Sequence, residues 1–202
     1  TKILREYITD QELYDKIIKR YENRKNNEKL FFMGITMQNH GGYTETYDNF
    51  PENYYKVGRS YTDANQYLSL VHESDEAVKN LISYFSKVDD PVEIIFFGDH
   101  QPSLNSNFYP ILNGKGLTGL TEDELEKLYT VPFFIWTNYD TPEETVDITS
   151  LDYLSTMALE RAGIELPAYN KFLADMQEVV PAINSRGYYS KSKGCYLHID
   201  EA

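Results

Sequence analysis

The chain has 202 residues, enough for one hydrophobic core of ordinary size. Its formal charge of −13, from 32 Asp and Glu against 19 Lys and Arg, argues against binding to a phosphate backbone, which needs a basic patch, so nucleic acid is not an expected partner. No window approaches the roughly 18 apolar residues of a membrane span, and the single cysteine, Cys195, excludes an internal disulfide and any cysteine-rich zinc site.

The chain begins at Thr1 in a charged, helix-like run, with neither an initiator Met nor a signal peptide, which leads us to expect a piece of a longer protein. "ITDQELYDKIIKRYENRK" offers Thr9 and Asp10 as caps, sets Leu13, Ile17, Ile18 and Tyr21 at helical spacing and turns basic near its end, so it predicts an amphipathic helix. "KLFFMGITM" (29–37) reads as a strand covered on both faces. It stops at Gln38-Asn39-His40-Gly41-Gly42, where the paired glycines call for a loop. A polar, aromatic loop then leads to "YTDANQYLSLVHESDEAVKNLISYFSKV", in which Tyr67, Leu70, Val71, Val78, Leu81, Ile82 and Phe85 recur with the period of a long helix.

"PVEIIFFGDH" predicts the second strand, ending on Gly98, Asp99 and His100. "NSNFYPILNGKGLTGLTEDELEKLY" is a Gly- and Asn-rich excursion closed by a short acidic helix capped at Thr121; its "NGKG" lacks the spacing of a phosphate-binding loop and reads as a turn. "TVPFFIWTN" predicts a third strand, with Pro132 suited to an edge, and "DITSLDYLSTMALERAGI" a helix with Asp147 or Thr149 as cap and Gly163 as stop. The tail from Pro167 is weakly patterned. Helices alternating with apolar strands predict an α/β fold over one domain, 1–202, with a mostly parallel sheet flanked by helices.

Open parallel sheets bind ligands beyond the carboxyl ends of their strands. Both strong strands end in histidine, so His40 and the Asp99-His100 pair are expected to gather around one pocket. Strand neighbours point to opposite faces, and Asp99 and His100 can share a cation only where the backbone leaves strand geometry, a freedom we assign to Gly98. A mixed oxygen and nitrogen set suits Mn²⁺, Zn²⁺ or Mg²⁺, with Mg²⁺ the poorest match for imidazole. On the residues alone, a loop Asp capping a helix beside a surface His is an open alternative, as is a plain loop role for His40. His72 and Asp75 read as structural residues of the long helix, and His198 carries no argument.

"FFMGITMQNHGGY", the helix "YTDANQYLSLVHESDEAVKNLI", "IIFFGDHQPSL" and "VPFFIWTN" resemble, in content and order, the later half of the sulfatase-like domain of the alkaline phosphatase superfamily, over residues 8–140. The nearest look-alikes are lipoteichoic acid synthases and other membrane-anchored phosphoglycerol transferases. The resemblance implies a divalent cation at strand ends, Mn²⁺ first with Zn²⁺, Mg²⁺ or Ca²⁺ as alternatives, with Asp99 and His100 as metal ligands and His40 contacting the transferred phosphoryl or sulfuryl group. It also implies a phosphate- or sulfate-ester substrate such as a glycerophospholipid, and a parent protein on the outer face of a bacterial membrane.

This chain has Gly42 where the family often has proline. The family's nucleophile and an acidic metal ligand precede the matching region, and Cys195 comes too late to serve, so the isolated chain is expected to be inactive and to hold a cation weakly or not at all. Two alternatives stay open: a phosphodiesterase or phosphoglycerate-mutase-like hydrolase of the same superfamily, and a degenerate module that binds glycolipid or polysaccharide without chemistry.

Overall fold

The computed structural model describes residues 1–50 and 61–201; the end of the polar, aromatic loop, 51–60, lies outside them. The chain divides into two compact units, Thr1–Asp89 with Pro102–Leu117, and Asp90–Gln101 with Thr118 onward. The α/β class is as the sequence predicts. The mostly parallel sheet is not, because every strand pairing among the described residues is antiparallel.

The first unit opens with a small hairpin, β1 (Ile3–Leu4) and β2 (Tyr7–Ile8), whose turn holds Arg5 in the left-handed region at φ 53°. A non-glycine residue there costs about 1–2 kcal/mol, and the guanidinium contacts described below offset it. Thr9 caps α1 (Asp10–Glu22) by accepting from the Glu12 N–H at 3.2 Å. Asp10 and Glu12 in its first turn and Lys19 and Arg20 in its last match the helix dipole.

The long helix α2 (Thr62–Phe85) packs against α1: Ser74 bonds to Asp10, and the Phe85 ring meets Tyr21 edge-on at 5.2 Å. These pairs advance along both helices together, so α1 and α2 run in the same direction. The connecting chain must therefore travel back past α1, and it does so as the irregular run 30–37, with Gly34 against Leu13: a Cβ there would lie 3.4 Å from Leu13 Cδ2.

The predicted strand 29–37 has no strand partner among the described residues and joins none of their sheets. Nor is it covered: Phe31 is 88% exposed and Ile35 75%. The core of this unit lies elsewhere, where Leu4, Tyr43, Phe50 and Leu70 cluster with Tyr47, Tyr67 and Leu104. A short helix, α3 (Tyr109–Asn113), ends on Gly114 at φ 72°, the turn read from "NGKG".

Beside that core lies a buried polar cluster. The Ser74 hydroxyl donates to Asp10 Oδ2 at 2.6 Å, and Gln38 accepts the Asp10 N–H at 3.1 Å while its own Nε2 donates to Ser74. Burial pushes the Asp10 carboxyl above its usual range, and the Ser74 bond pulls it only part of the way back. A raised carboxyl favours the fold fully at low pH and loses that contribution as pH climbs through the raised value. Asp10→Asn, neutral throughout, should match the parent most closely in urea midpoint near pH 3 and move ahead of it as pH approaches 7. A gap that narrows with rising pH would contradict this.

In the second unit β3 (Glu93–Phe97) and β4 (Phe133–Thr137) pair antiparallel, with Ile95 opposite Ile135, and Phe96 stacks on Phe134 at 5.2 Å. Asn138 clips the start of β3 by accepting the Val92 N–H at 2.7 Å. The acidic helix α4 (Glu122–Glu126) has the capping box read at Thr121, completed by Glu124. The N-cap of α5 (Leu151–Arg161) is Ser150, not Asp147 or Thr149, and its hydroxyl is engaged elsewhere: it bonds the Ile183 N–H and C=O at 2.6 and 2.8 Å. Gly163, at φ 67°, closes α5 as expected, with the Ile164 N–H returning to Leu159 O at 2.9 Å.

The tail is better ordered than its pattern suggests. It forms α6 (Ala168–Gln177) and the antiparallel order β5 (Ala182–Ile183), β6 (Gly187–Ser190), β7 (Cys195–His198). Gly187 is dictated by that sheet, since a Cβ would lie 2.0 Å from Leu197 O.

Candidate functional site

The candidate residues belong to different units. Asp99 and His100 belong to the second unit, just beyond β3, and the structure brings them together. His40 belongs to the first unit and is described there by itself.

β3 delivers its terminal pair through Gly98, whose N–H still continues the ladder to Pro132 O at 3.1 Å. The reason for glycine differs from the one expected. Its φ is not left-handed; a Cβ would lie 3.1 Å from Val131 Cβ, so a side chain here would have to push back the segment entering β4 by a few tenths of an ångström. After it the chain leaves the strand and both side chains reach solvent, Asp99 85% and His100 77% exposed.

The Asp99 carboxylate turns back on the next residue, with Oδ1 accepting the His100 N–H at 2.9 Å. His100 Nδ1 lies 2.9 Å from Gln101 O. A carbonyl only accepts, so Nδ1 carries a hydrogen, and in the neutral ring Nε2 is then a lone-pair nitrogen. That nitrogen faces Asp99 Oδ2 at 3.6 Å. Two electron-rich atoms facing each other suit a positive charge between them, either a proton or a cation.

The arrangement fits a divalent cation. Metal-bound imidazoles commonly donate their other N–H to a carbonyl, and two ligands at about 2.0–2.2 Å from one ion can span the observed separation. A metal site would need further ligands: among the described residues no three His, Cys, Asp or Glu side chains gather closely enough to hold a metal ion.

His40 sits on a turn, its N–H bonded to Met37 O at 3.0 Å. The turn is held through its carbonyls. Tyr43 donates its hydroxyl to Asn39 O at 2.7 Å, and the Arg5 guanidinium donates Nη2 to Gln38 O at 2.9 Å and to His40 O at 2.6 Å. Arg5 is 4% exposed, sends Nη1 to Gln66 at 3.2 Å, and has the rings of Tyr7, Tyr43 and Tyr47 centred 5.5, 5.5 and 6.0 Å away. Tyr7 Oη lies 3.2 Å from His40 Nδ1. Sequence reasoning missed Arg5 and Tyr7, which stand 35 and 33 residues from His40 and share no periodic pattern with it.

Residues 2–164 match the family model described as Sulfatase. Two proteins of Rhizobium meliloti (strain 1021) are similar in sequence. One, named for cyclic β-1,2-glucan modification, is 27% identical over 180 residues, 85% of this chain and 28% of that protein. The other, the capsular polysaccharide biosynthesis protein RkpI, is 33% identical over 100 residues, 50% of this chain and 17% of that protein. The chain therefore spans less than a third of the length of either. Among solved structures, the Streptococcus pyogenes phosphoglycerol transferase GacH, in complex with sn-glycerol-1-phosphate, shares the fold with a TM-score of 0.64 over 88% of this chain and 43% of that one, at 20% identity.

Proposed function

The chain belongs to the sulfatase family, and on that premise we propose that it supplies part of a metal-dependent site for phosphoryl or sulfuryl transfer in a longer polypeptide, of the phosphoglycerol transferase type. The observation that carries the reading is the Asp99 and His100 pair at the end of β3, with a carboxylate oxygen and a lone-pair nitrogen facing each other at 3.6 Å.

A divalent cation bound there, Mn²⁺ or one of its alternatives Zn²⁺, Mg²⁺ and Ca²⁺, would polarise the ester and draw charge off its oxygens. Asp99 and His100 would hold it through Oδ2 and Nε2. His40 would donate a hydrogen bond to a non-bridging oxygen of the transferred group, where charge grows as the bond to the leaving group breaks. The nucleophile would come from residues outside these 202.

The solved neighbour binds sn-glycerol-1-phosphate, and the sequence relatives are named for glucan modification and capsular polysaccharide biosynthesis. These names favour transfer of phosphoglycerol to or from a cell-surface glycan, on the outer face of a bacterial membrane. No helix among the described residues is long and apolar enough to cross a membrane, so an anchor would lie in another segment.

The test is an assay of the full-length gene product with Mn²⁺ on bis-p-nitrophenyl phosphate and on p-nitrophenyl sulfate. We expect turnover of the phosphodiester, and a fall of about 10²-fold or more in His40→Ala, the loss typical of removing one donor to a developing oxyanion. Full activity in that variant would overturn the role given to His40.

A further inference from the structure

We propose that Tyr7 is a positioning residue for His40, keeping a hydrogen on Nε2 and aiming that nitrogen outward. The inference rests on the reading that His40 contacts the transferred group.

An exposed imidazole on a turn has rotational freedom and two neutral tautomers, and only one of these donates from Nε2. Tyr7 narrows both, because a phenol O–H is a stronger donor to an imidazole lone pair than its oxygen is an acceptor from a neutral ring N–H. Its hydroxyl lies 3.2 Å from Nδ1, and its ring sits 5.6 Å from the imidazole at an angle of 51°. When the imidazole is neutral, the favoured bond runs from the phenol O–H to Nδ1, which leaves the ring hydrogen on Nε2. When it is protonated, Nδ1–H donates to the phenol oxygen and Nε2 again carries a hydrogen. In both states the outward nitrogen is a donor, the role that contact with an anionic oxygen requires.

Tyr7 is itself well placed to act as a reference point. It pairs with Leu4 in the hairpin, and its ring is one of those surrounding the Arg5 guanidinium, 5.5 Å from centroid to carbon. Arg5 in turn holds the carbonyls of Gln38 and His40. One hairpin thus grips His40 twice, Arg5 by the main chain and Tyr7 by the ring. Among the described residues no other side chain bonds the imidazole.

Tyr7→Phe keeps the ring and loses only the hydroxyl. In long-range ¹⁵N–¹H spectra of the labelled chain, at a pH where the imidazole is neutral, the His40 signals are identified by their loss in His40→Asn. We expect the parent to show a pyridine-type Nδ1 and a pyrrole-type Nε2, and Tyr7→Phe to draw the two shifts together as the tautomers mix, with the urea midpoint unchanged. In the full-length protein kcat should fall about three- to tenfold with little change in KM, the worth of one neutral hydrogen bond.

Identical His40 nitrogen shifts in Tyr7→Phe overturn the proposal, and so does full kcat in Tyr7→Phe when His40→Asn is inactive. Shifts that mix while His40→Asn stays fully active leave the Tyr7 hold on His40 standing and overturn the function given to His40 instead.

Discussion

Arg5→Met should lower the stability of the first unit by about 2–4 kcal/mol, read as a shift in urea midpoint at unchanged slope. The guanidinium is 4% exposed, and among the described residues it has no carboxylate partner. Its charge is met instead by the carbonyls of Gln38 and His40, the Gln66 amide oxygen and three tyrosine faces. Methionine fills similar space but leaves those acceptors without a donor, at about 1–3 kcal/mol for each that water cannot reach. Relief from burying the charge returns part of this, which keeps the net below the sum. Arg5→Lys should fare little better, because a point ammonium cannot reproduce a planar fork that reaches two main-chain carbonyls and a side-chain amide at once. A loss under about 0.5 kcal/mol, the ordinary range for surface changes, would show that the turn carrying His40 is held by other means.

Asp99→Ala should have the opposite profile, with a large effect on function and almost none on folding. The carboxylate is 85% exposed, and its bonds are to the adjacent residue, so the urea midpoint should stay within about 0.5 kcal/mol of the parent. In the full-length protein, Mn²⁺ affinity should fall by about 10²-fold or more, since even residues that merely orient metal ligands cost 10–100-fold when removed. Activity at a fixed low Mn²⁺ concentration should fall with it and recover in part as the metal is raised. His100→Ala should behave alike, and the double variant should lose little beyond either single one if both bind a single ion. A Mn²⁺ titration that Asp99→Ala leaves unmoved would remove the metal from the proposed function.

What the sequence reveals about this molecule follows the range of the forces involved. α1, α2 and α4 are plain in it because caps at Thr9 and Thr121 and a recurring apolar face act within a few residues. β3 and β4 are visible as apolar runs, but a run does not state its partner, and Ile94 opposite Trp136 in an antiparallel ladder leaves the same trace as a parallel pair. The run 29–37 differs from its expectation for the same reason: its composition suits a strand, while becoming one depends on a neighbour. The Asp99 and His100 pair was readable because adjacency and a strand end are local facts. The grip of Arg5 and Tyr7 on His40 was not, because it depends on a hairpin turn in an unusual backbone state and on contacts across more than thirty residues.

The bare stretch 30–37 bears on how the isolated chain behaves in solution. "LFFMGITM" holds aromatic and β-branched residues with no charge and no proline, and its backbone has no ladder among the described residues, which suits it to pair with the same stretch in another molecule. The net charge of −13 opposes such pairing, a repulsion that counter-ions damp beyond about 8–10 Å at ordinary ionic strength. Added salt weakens that repulsion and leaves the apolar attraction in place, so self-pairing through this stretch should grow with ionic strength, the reverse of an association held by opposite charges; light scattering of the isolated chain against added NaCl would check it.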